Sequence, residues 1–181
     1  MISDEELAIQ LQSGSDEALE QILNRYHEPI YIFVLRMTRD YHATLDIVQE
    51  VFIKMCKGIK YYRAGFSFRA WLYSIANNTY KDYRKNAYTR KVVLGLEGKE
   101  CFLVTDNTPE DEFFKDDERT RLIKAIHDLG DIYSETLILR YYQDLRLDEI
   151  ALVLNIPTGT VKSRLSNGLS QLRQSLCSRE Y

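Results

Sequence analysis

The most specific local pattern in the chain is residues 147–173, LDEIALVLNIPTGTVKSRLSNGLSQLR. It begins with a short amphipathic pattern, turns at Asn155-Ile156-Pro157, and continues with a longer amphipathic pattern for which Thr158 is placed as the N-cap. Its hydrophobic residues recur every three or four positions and predict a buried stripe formed by Val161, Leu165, Leu169, Leu172 and Leu176. The segment therefore predicts two helices joined by a tight turn.

The face opposite this stripe is suited to DNA. It carries short hydrogen-bonding side chains and one cation, namely Lys162, Ser163, Ser166, Asn167 and Ser170. Between Pro157 and Arg179 the chain has basic residues but no acidic ones. Such a helix can place polar side chains against base edges in the major groove and direct its positive N-terminus at a phosphate. The pattern fits a helix-turn-helix reader of DNA and, equally, an ordinary helical hairpin with a solvated polar face.

The rest of the chain also predicts helices. Only 8 of the 181 residues are Gly and 3 are Pro, which favours helix. The N-terminal patterns predict helices at 4–13, from Asp16, from Pro29, at 42–57 and, after a loop at 59–66, from the N-cap Ser67 to about residue 86. The C-terminal patterns predict helices at 117–129, 134–142, 147–154 and 158–176. The predicted fold class is therefore all-α.

A change of composition separates the two groups of helices. Residues 92–117 lose the helical period, contain Gly95, Gly98 and Pro109, and are strongly acidic. This composition is typical of a flexible linker. We therefore expect two small helical domains, at 1–91 and 118–181, joined by a linker at 92–117, with the C-terminal domain a helix-turn-helix.

Positive charge and aromatic rings are concentrated between residues 51 and 91. This stretch has ten Lys or Arg residues, ten aromatic residues and a single acid, Asp82. An excess of positive charge attracts a polyanion, and rings interleaved with it can stack on unpaired bases. The composition indicates a nucleic-acid surface, and single strands are one candidate ligand. The alternative is a solvated basic helix whose aromatic residues lie in the core.

The sequence contains no pattern typical of an enzyme or a metal protein. Cys56, Cys101 and Cys177 are far apart, and so are the three histidines, which argues against a disulfide framework or a zinc site. We find no phosphate-binding glycine loop and no nucleophile motif, and we expect no cofactor. No apolar run reaches the roughly 20 residues that span a bilayer. The acidic N-terminus lacks a signal core, so we expect a cytoplasmic protein.

Four further stretches, taken in order with the helix-turn-helix segment, resemble a known family. They are DIVQEVF at 46–52, SFRAWL at 67–72, IANNTYKD at 75–82 and LILRYYQDLRLDEIA at 137–151. Together they look like a bacterial RNA polymerase sigma factor of the extracytoplasmic-function (ECF) class of the sigma-70 family. The resemblance covers nearly the whole chain except the linker and the extreme ends.

The resemblance implies a non-enzymatic subunit that binds core RNA polymerase and directs it to promoter DNA. The N-terminal domain would recognise and melt the minus-ten element, and the C-terminal domain would read the minus-thirty-five element as duplex. The class commonly also has an anti-sigma factor as a partner. The acidic linker would thread through the polymerase, where its charge either mimics nucleic acid or simply keeps a solvated tether extended, and we favour the tether.

The resemblance also assigns residues to three sites. The minus-ten residues are Tyr61, Tyr62, Arg63 and Ser67, in a loop that captures a flipped base, and Asn77, Asn78, Lys81, Arg84 and Lys85 on polar faces of the next helix. The minus-thirty-five residues are Thr158, Thr160, Lys162, Ser163, Arg164, Ser166 and Asn167. The core-polymerase residues are Asp46, Gln49, Glu50 and Lys54 on the exposed side of one helix, although charged residues on such a helix usually just face water. Trp71, Leu72, Ile75 and Ala76 are expected in the core.

Two other functions are compatible with the residues. One is a stand-alone helix-turn-helix regulator, which would bind duplex DNA without polymerase and would not need the aromatic loop. The other is a helical adaptor whose charged faces bind protein. Ser166 and Asn167 also depart from the commonest pattern of the family, so the resemblance does not carry a promoter sequence over to this chain.

Overall fold

The computed structural model describes residues 2–93 and 117–177, and within these ranges the chain is helical with no strand. The helices are α1 (Asp4–Gln12), α2 (Asp16–Thr38), α3 (Tyr41–Gly58), α4 (Phe68–Val93), α5 (Asp117–Asp128), α6 (Asp131–Tyr141), α7 (Leu147–Leu154) and α8 (Thr158–Cys177). They form two compact units, α1–α4 and α5–α8, which confirms the predicted all-α class. No described helix is both long and apolar enough to cross a bilayer. The predicted linker at 92–117 lies outside the described ranges except for residues 92, 93 and 117.

The N-terminal unit is a bundle around α2 and α4. Helix α2 packs on α1, α3 and α4, and α4 also packs on α1 and α3. The rings of Phe33 and Tyr73 meet edge to face with centroids 5.4 Å apart. Burying each large apolar side chain contributes roughly 1.5–3 kcal/mol. The fully buried residues of this core include Leu7, Ile22, Ile30, Phe33, Ile47, Met55, Phe68, Leu72 and Tyr73.

The helix predicted to begin at Pro29 is not a separate element, and that prediction is wrong. Pro29 lies inside α2, which runs without interruption from Asp16 to Thr38. A proline in a helix removes one backbone hydrogen bond. The helix continues because a single buried stripe crosses the proline, formed by Ile22, Tyr26, Ile30, Phe33 and Met37.

Side-chain caps fix where the helices of this unit begin. Ser15 accepts a hydrogen bond from the Ala18 N–H at 3.2 Å, and Asp40 accepts one from the Ala43 N–H at 2.9 Å. Gly14, with φ +87°, makes the turn between α1 and α2. Each cap stabilises its helix by about 1 kcal/mol. The predicted start of α2 at Asp16 is confirmed, and α3 begins one residue before the predicted residue 42.

Helix α4 is longer than the sequence predicted, ending at Val93 rather than near residue 86. Its first half is covered by α1, α2 and α3. Between residues 81 and 89 no side chain is buried. The helix thus begins inside the bundle, and from about Lys81 its side chains are no longer buried.

The C-terminal unit is held together by the packing of α8 on α5, α6 and α7. A Cβ placed on Gly168 would lie 3.2 Å from Leu137 Cδ1 and 3.4 Å from Tyr133 Cβ, so α8 and α6 are in close contact at this glycine. The prediction that Leu169 and Leu176 belong to the buried stripe is wrong, because both are exposed. The buried residues of α8 are Val161, Leu165, Gly168 and Leu172.

Candidate nucleic-acid interface

The loop between α3 and α4 is a closed turn with its own hydrogen bonds. It starts with the 3₁₀ turn Ile59–Tyr61, in which the Tyr62 N–H donates to the Ile59 carbonyl at 2.9 Å. The Tyr62 hydroxyl donates to the Phe66 carbonyl. Gly65 has φ +92°, a backbone conformation that favours glycine. These bonds give the loop a defined shape.

The two adjacent tyrosines of the loop lie in different environments. Tyr62 is 5% exposed, and its ring centroid lies 5.7 Å from that of Phe68 and 5.5 Å from that of Trp71. Tyr61 is 75% exposed, with Lys60 Nζ 4.9 Å from its ring centroid. The expectation that both rings are available to a base is therefore wrong for Tyr62. Tyr61 offers a ring face, while Tyr62 joins the core beneath the loop.

Phe66 was missed as a site residue by the sequence reasoning. It lies in the same loop and is 55% exposed. Its position next to Gly65, in a turn, was the available signal, because residues at a turn have few neighbours that could bury a ring. Arg63 is also exposed. The loop thus presents two rings and a cation.

Ser67 ends the loop and begins α4. Its Oγ accepts a hydrogen bond from the Ala70 N–H at 3.1 Å, and its carbonyl accepts one from the Trp71 N–H at 3.1 Å. The predicted N-cap is confirmed. Ser67 therefore fixes the direction in which α4 leaves the loop. Trp71 itself is half-buried, while Leu72 and Ala76 are fully buried as expected.

The exposed part of α4 carries the predicted basic surface. Asn78, Lys81, Arg84 and Lys85 are all exposed, and the Arg84 guanidinium lies 5.6 Å from the ring centroid of Tyr80. At 3.6 residues per turn these four side chains occupy about a third of the helix circumference. The exposed ring of Tyr88 lies in the same sector. This surface combines cations, an amide and an aromatic ring on one side of one helix.

Asn77 does not belong to this surface, and its predicted place on a polar face is wrong. The residue is fully buried, and neither polar atom of its amide has a hydrogen-bond partner. At this point α4 is still enclosed by the other helices of the bundle. Helical periodicity shows which residues share a face, but it does not show where a helix leaves the core.

The exposed side of α3 carries Asp46, Gln49 and Glu50, as predicted. Lys54 is half-buried and reaches across to α4. Its Nζ lies 3.3 Å from Thr79 Oγ1, 3.6 Å from the Asp82 carboxylate and 3.9 Å from the Glu50 carboxylate. A partly exposed ion pair adds little stability, up to about 1 kcal/mol. The contacts of Lys54 matter more for geometry, because they hold α3 and α4 next to each other.

The helix-turn-helix has the predicted geometry. Asn155, with φ +52°, caps the C-terminus of α7, and the Ile156 N–H donates to the Ala151 carbonyl at 3.0 Å. Helix α8 begins at Thr158, so this residue is the first of the helix rather than its cap. The predicted contact residues divide by exposure: Thr158, Lys162, Ser163, Ser166 and Asn167 are exposed, while Thr160 and Arg164 are half-buried.

Burial keeps the core tyrosines near the loop as neutral phenols. Burial raises the pKa of Tyr73 to about 12 although Arg69 lowers it, and it raises the pKa of Tyr62, as do the nearby carboxylates of Glu5 and Asp4. The pKa of Tyr26 is raised first by burial and then by its hydrogen bond to Asp4. The charge of this surface near neutral pH is therefore set by Lys, Arg, Asp and Glu side chains.

Comparisons with known proteins agree with this architecture. The family model described as Sigma-70 region 2 matches residues 22–89, and the one described as Sigma-70, region 4 matches residues 125–174. The ECF RNA polymerase sigma factor SigW of Bacillus subtilis (strain 168) is 34% identical over 174 residues, which cover 92% of this chain and 93% of that protein.

Two solved structures share the fold. CnrH in complex with the cytosolic domain of CnrY superposes with a TM-score of 0.74 at 20% identity, covering 97% of each chain. The sigma factor RpoE of Bartonella quintana, in complex with the anti-sigma factor NepR, superposes with a TM-score of 0.64 at 18% identity, covering 87% of this chain and 95% of that one. With both regions matched in order and a relative above 30% identity along nearly the full length, this chain belongs to the ECF RNA polymerase sigma factors of the sigma-70 family.

Proposed function

We propose that this chain binds core RNA polymerase, directs it to promoters and helps to open the minus-ten element. Family membership supports the general function. One observation supports the opening step: the ring of Tyr61 is exposed on a closed loop that leads into the basic surface of α4. The sigma-factor function uses both units. A stand-alone helix-turn-helix regulator would need α8 but neither the exposed Tyr61 ring nor the basic surface of α4.

Opening a promoter requires a surface that prefers unpaired bases to paired ones. Extruding a base costs a few kcal/mol, and stacking on an aromatic ring returns roughly 1–3 kcal/mol per base. Tyr61 and Phe66 supply exposed rings, and Arg63 supplies a cation beside them. Ser67 lies at the end of the same loop. We assign the capture of a base to this loop, with Tyr61 as the principal stacking residue.

The basic surface of α4 complements the loop. Lys81, Arg84 and Lys85 neutralise phosphates of the strand that the loop holds, and neutralised phosphates release counterions and strengthen binding. Asn78 adds a donor and an acceptor that can meet a base edge. We leave Asn77 out of the contact set because its side chain is buried.

The C-terminal unit reads the minus-thirty-five element as duplex. We assign base-edge contacts to the exposed side chains of Lys162, Ser163, Ser166 and Asn167. Thr158 and Thr160, in the first turn of α8, are placed for phosphate, where backbone N–H groups and the helix dipole also act. Arg164 is half-buried, and we assign it to the edge of the contact surface.

The core polymerase meets the exposed side of α3. We assign this contact to Asp46, Gln49 and Glu50. Lys54 is directed at α4, and we assign it to holding the two helices in register. We propose no catalytic step and no cofactor for this chain. The domain limits that we propose are 1–91 and 118–181 with a linker at 92–117, and an anti-sigma factor is the further partner that we propose.

The opening step can be tested with a Tyr61→Ala variant. Loss of one stacked base should slow opening of a duplex promoter by roughly 5- to 150-fold, equivalent to about 1–3 kcal/mol, and should affect a pre-melted bubble template much less. The measurement is the rate of open-complex formation by reconstituted holoenzyme on both templates. Tyr141→Ala is the matched control, because Tyr141 is a similarly exposed tyrosine on α6.

Two results would contradict the proposed role of the loop. One is an unchanged opening rate for Tyr61→Ala on duplex promoters. The other is an equal defect on duplex and pre-melted templates, because base capture during melting should matter most where the strands are still paired.

A further inference from the structure

Helix α1 is bonded to both ends of the loop that carries Tyr61. At the start of the loop, the Gln12 amide nitrogen donates to the Ile59 carbonyl at 2.8 Å and to the Tyr62 carbonyl at 2.7 Å. At its end, the Glu5 carboxylate accepts a hydrogen bond from the Phe68 N–H at 3.3 Å. Glu5 and Gln12 are seven residues apart, which places them on one face of the helix, two turns from each other.

The chemistry of these contacts fits their positions. The last carbonyls of a helix and the first N–H groups of the next one have no partner within their own helix. Ile59 and Tyr62 follow the end of α3, and Phe68 is the first residue of α4. The Gln12 amide donates to the Tyr62 carbonyl and to the Ile59 carbonyl, which also accepts from the Tyr62 N–H. The Glu5 carboxylate accepts from the Phe68 N–H at the positive end of α4, where a negative charge is favourable.

Helix α1 is itself fixed to the bundle. The Asp4 carboxylate accepts hydrogen bonds from the Arg25 guanidinium and from the Tyr26 hydroxyl, both on α2. Leu7 and Ala8 are fully buried beneath the helix. A side chain on α1 therefore holds the loop relative to the rigid core rather than moving with it.

We propose that α1 is a clasp that positions the base-capture loop, with Gln12 and Glu5 as positioning residues for promoter opening. This inference rests on the function proposed above for Tyr61. A loop held at both ends loses less conformational freedom when it captures a base, so less of the stacking energy is spent on ordering it. Helix α1 precedes the residues 22–89 that match Sigma-70 region 2, and no motif of the sequence points to it.

The first test asks whether Gln12 holds the loop. Trp71 is the only tryptophan in the chain, and its ring centroid lies 5.5 Å from that of Tyr62 and 5.6 Å from that of Phe68. It therefore reports on the packing beneath both anchored residues. In Gln12→Glu a carboxylate faces two carbonyl oxygens and cannot donate, so acrylamide quenching of Trp71 should increase. Gln10→Glu, the same change at an exposed position of the same helix, should leave quenching unchanged.

The second test asks whether the clasp acts through Tyr61. Gln12→Glu should slow opening of a duplex promoter by holoenzyme about tenfold, as expected for one to two hydrogen bonds, with core-polymerase affinity unchanged. In a Tyr61→Ala background the same change should slow opening by less than about twofold, because the effects of residues that act as a unit are not additive. If Gln12 had only a structural role, Gln12→Glu would slow opening about tenfold in both backgrounds.

The outcomes separate the clasp from the function on which it rests. Equal quenching in Gln12→Glu and Gln10→Glu would overturn the clasp, and so would a full tenfold cost in the Tyr61→Ala background. An unchanged opening rate for Tyr61→Ala alone would overturn the proposed function of the loop, whatever the quenching shows. If Gln12→Glu lowers the thermal stability of the whole chain, Gln12→Ala removes the donor without adding a charge and is subject to the same criteria.

Discussion

At the scale of single residues, neighbours in the sequence have opposite roles in this structure. Asn77 is buried without a hydrogen-bond partner, and Asn78 is exposed. Tyr62 lies in the core and Tyr61 at the surface. In each pair the residue types are identical, so the difference comes only from where the backbone directs the side chain. Residue type alone therefore cannot show which member of such a pair is exposed and available for a contact.

The buried amide of Asn77 makes a prediction about stability. Leaving a buried donor and acceptor unsatisfied costs roughly 1–3 kcal/mol, and leucine has a similar branched shape without polar atoms. Asn77→Leu should therefore raise the free energy of unfolding of the N-terminal unit by about 1–2 kcal/mol. Urea unfolding followed by the fluorescence of Trp71, which lies on the same helix, measures this value.

The neighbouring position supplies the control. Asn78→Leu changes an exposed residue and should alter stability by no more than about 0.5 kcal/mol, while weakening promoter binding. Asn77→Leu should leave promoter binding intact. A destabilised Asn77→Leu variant would mean that the amide has a stabilising partner, such as a bound water.

At the scale of elements, the sequence predicted the helices well where a local signal defines them. The start of α2 at Asp16 and the Ser67 cap of α4 were predicted from the sequence, whereas the Asp40 cap of α3 was found only in the structure. The wrong predictions concern positions where tertiary packing, and not a local signal, determines how far a helix continues. Pro29 continues a helix because a buried stripe crosses it, a result of tertiary contact that no local signal shows.

Contacts between elements also explain what the sequence could not show about the candidate site. The exposure of Asn78, Lys81, Arg84 and Lys85 was predicted from their polarity. The clasp formed by Gln12 joins residues 47 and 50 positions apart, and no spacing rule relates them. Leu169 was assigned to the core because it is hydrophobic, whereas Gly168 occupies the buried position because it allows α8 and α6 to approach.

The close approach at Gly168 can be tested by substitution. Gly168→Leu should destabilise the C-terminal unit by about 1–3 kcal/mol, because Leu137 and Tyr133 already lie against the position of a Cβ. Gly159→Leu is the matched control on the same helix, since nothing lies within 4 Å of its Cβ position. It should leave stability unchanged or raise it by up to about 1 kcal/mol. Urea unfolding followed by circular dichroism compares the two, and equal effects would exclude a packing role for Gly168.

At the scale of the whole molecule, the two units expose different chemistry, and we propose that both bind DNA. The N-terminal unit combines exposed rings with cations, which suits unpaired bases. The exposed face of α8 has short polar side chains and Lys162, which suits the edges of paired bases. The acids on α3 form a third exposed surface within the first unit, which we propose for the polymerase. This arrangement predicts that the tasks can be separated by substitution.

A double variant tests this separation. Lys162→Ala with Ser163→Ala should reduce initiation at promoters that depend on the minus-thirty-five element by about tenfold, given roughly 1–3 kcal/mol for a good base contact. Binding to core polymerase should be unchanged. Runoff transcription and a core-binding assay with the same protein samples measure the two quantities, and Lys124→Ala, an exposed cation on α5, is the control. Equal loss of both activities would contradict a division of tasks between the units.

The loss of buried side chains on α4 from about Lys81 has a consequence for hydrogen exchange. Amide protons before this point are in a helix whose opening requires disruption of the core, so they should exchange slowly. Beyond it no side chain is buried through residue 89, so opening of the helix there disrupts no core, although Lys54 of α3 still pairs with Asp82. One continuous helix therefore carries a gradient of protection. Slow exchange that extends further along α4 in the open complex than in the holoenzyme without DNA would measure how far the proposed contact with the promoter strand reaches.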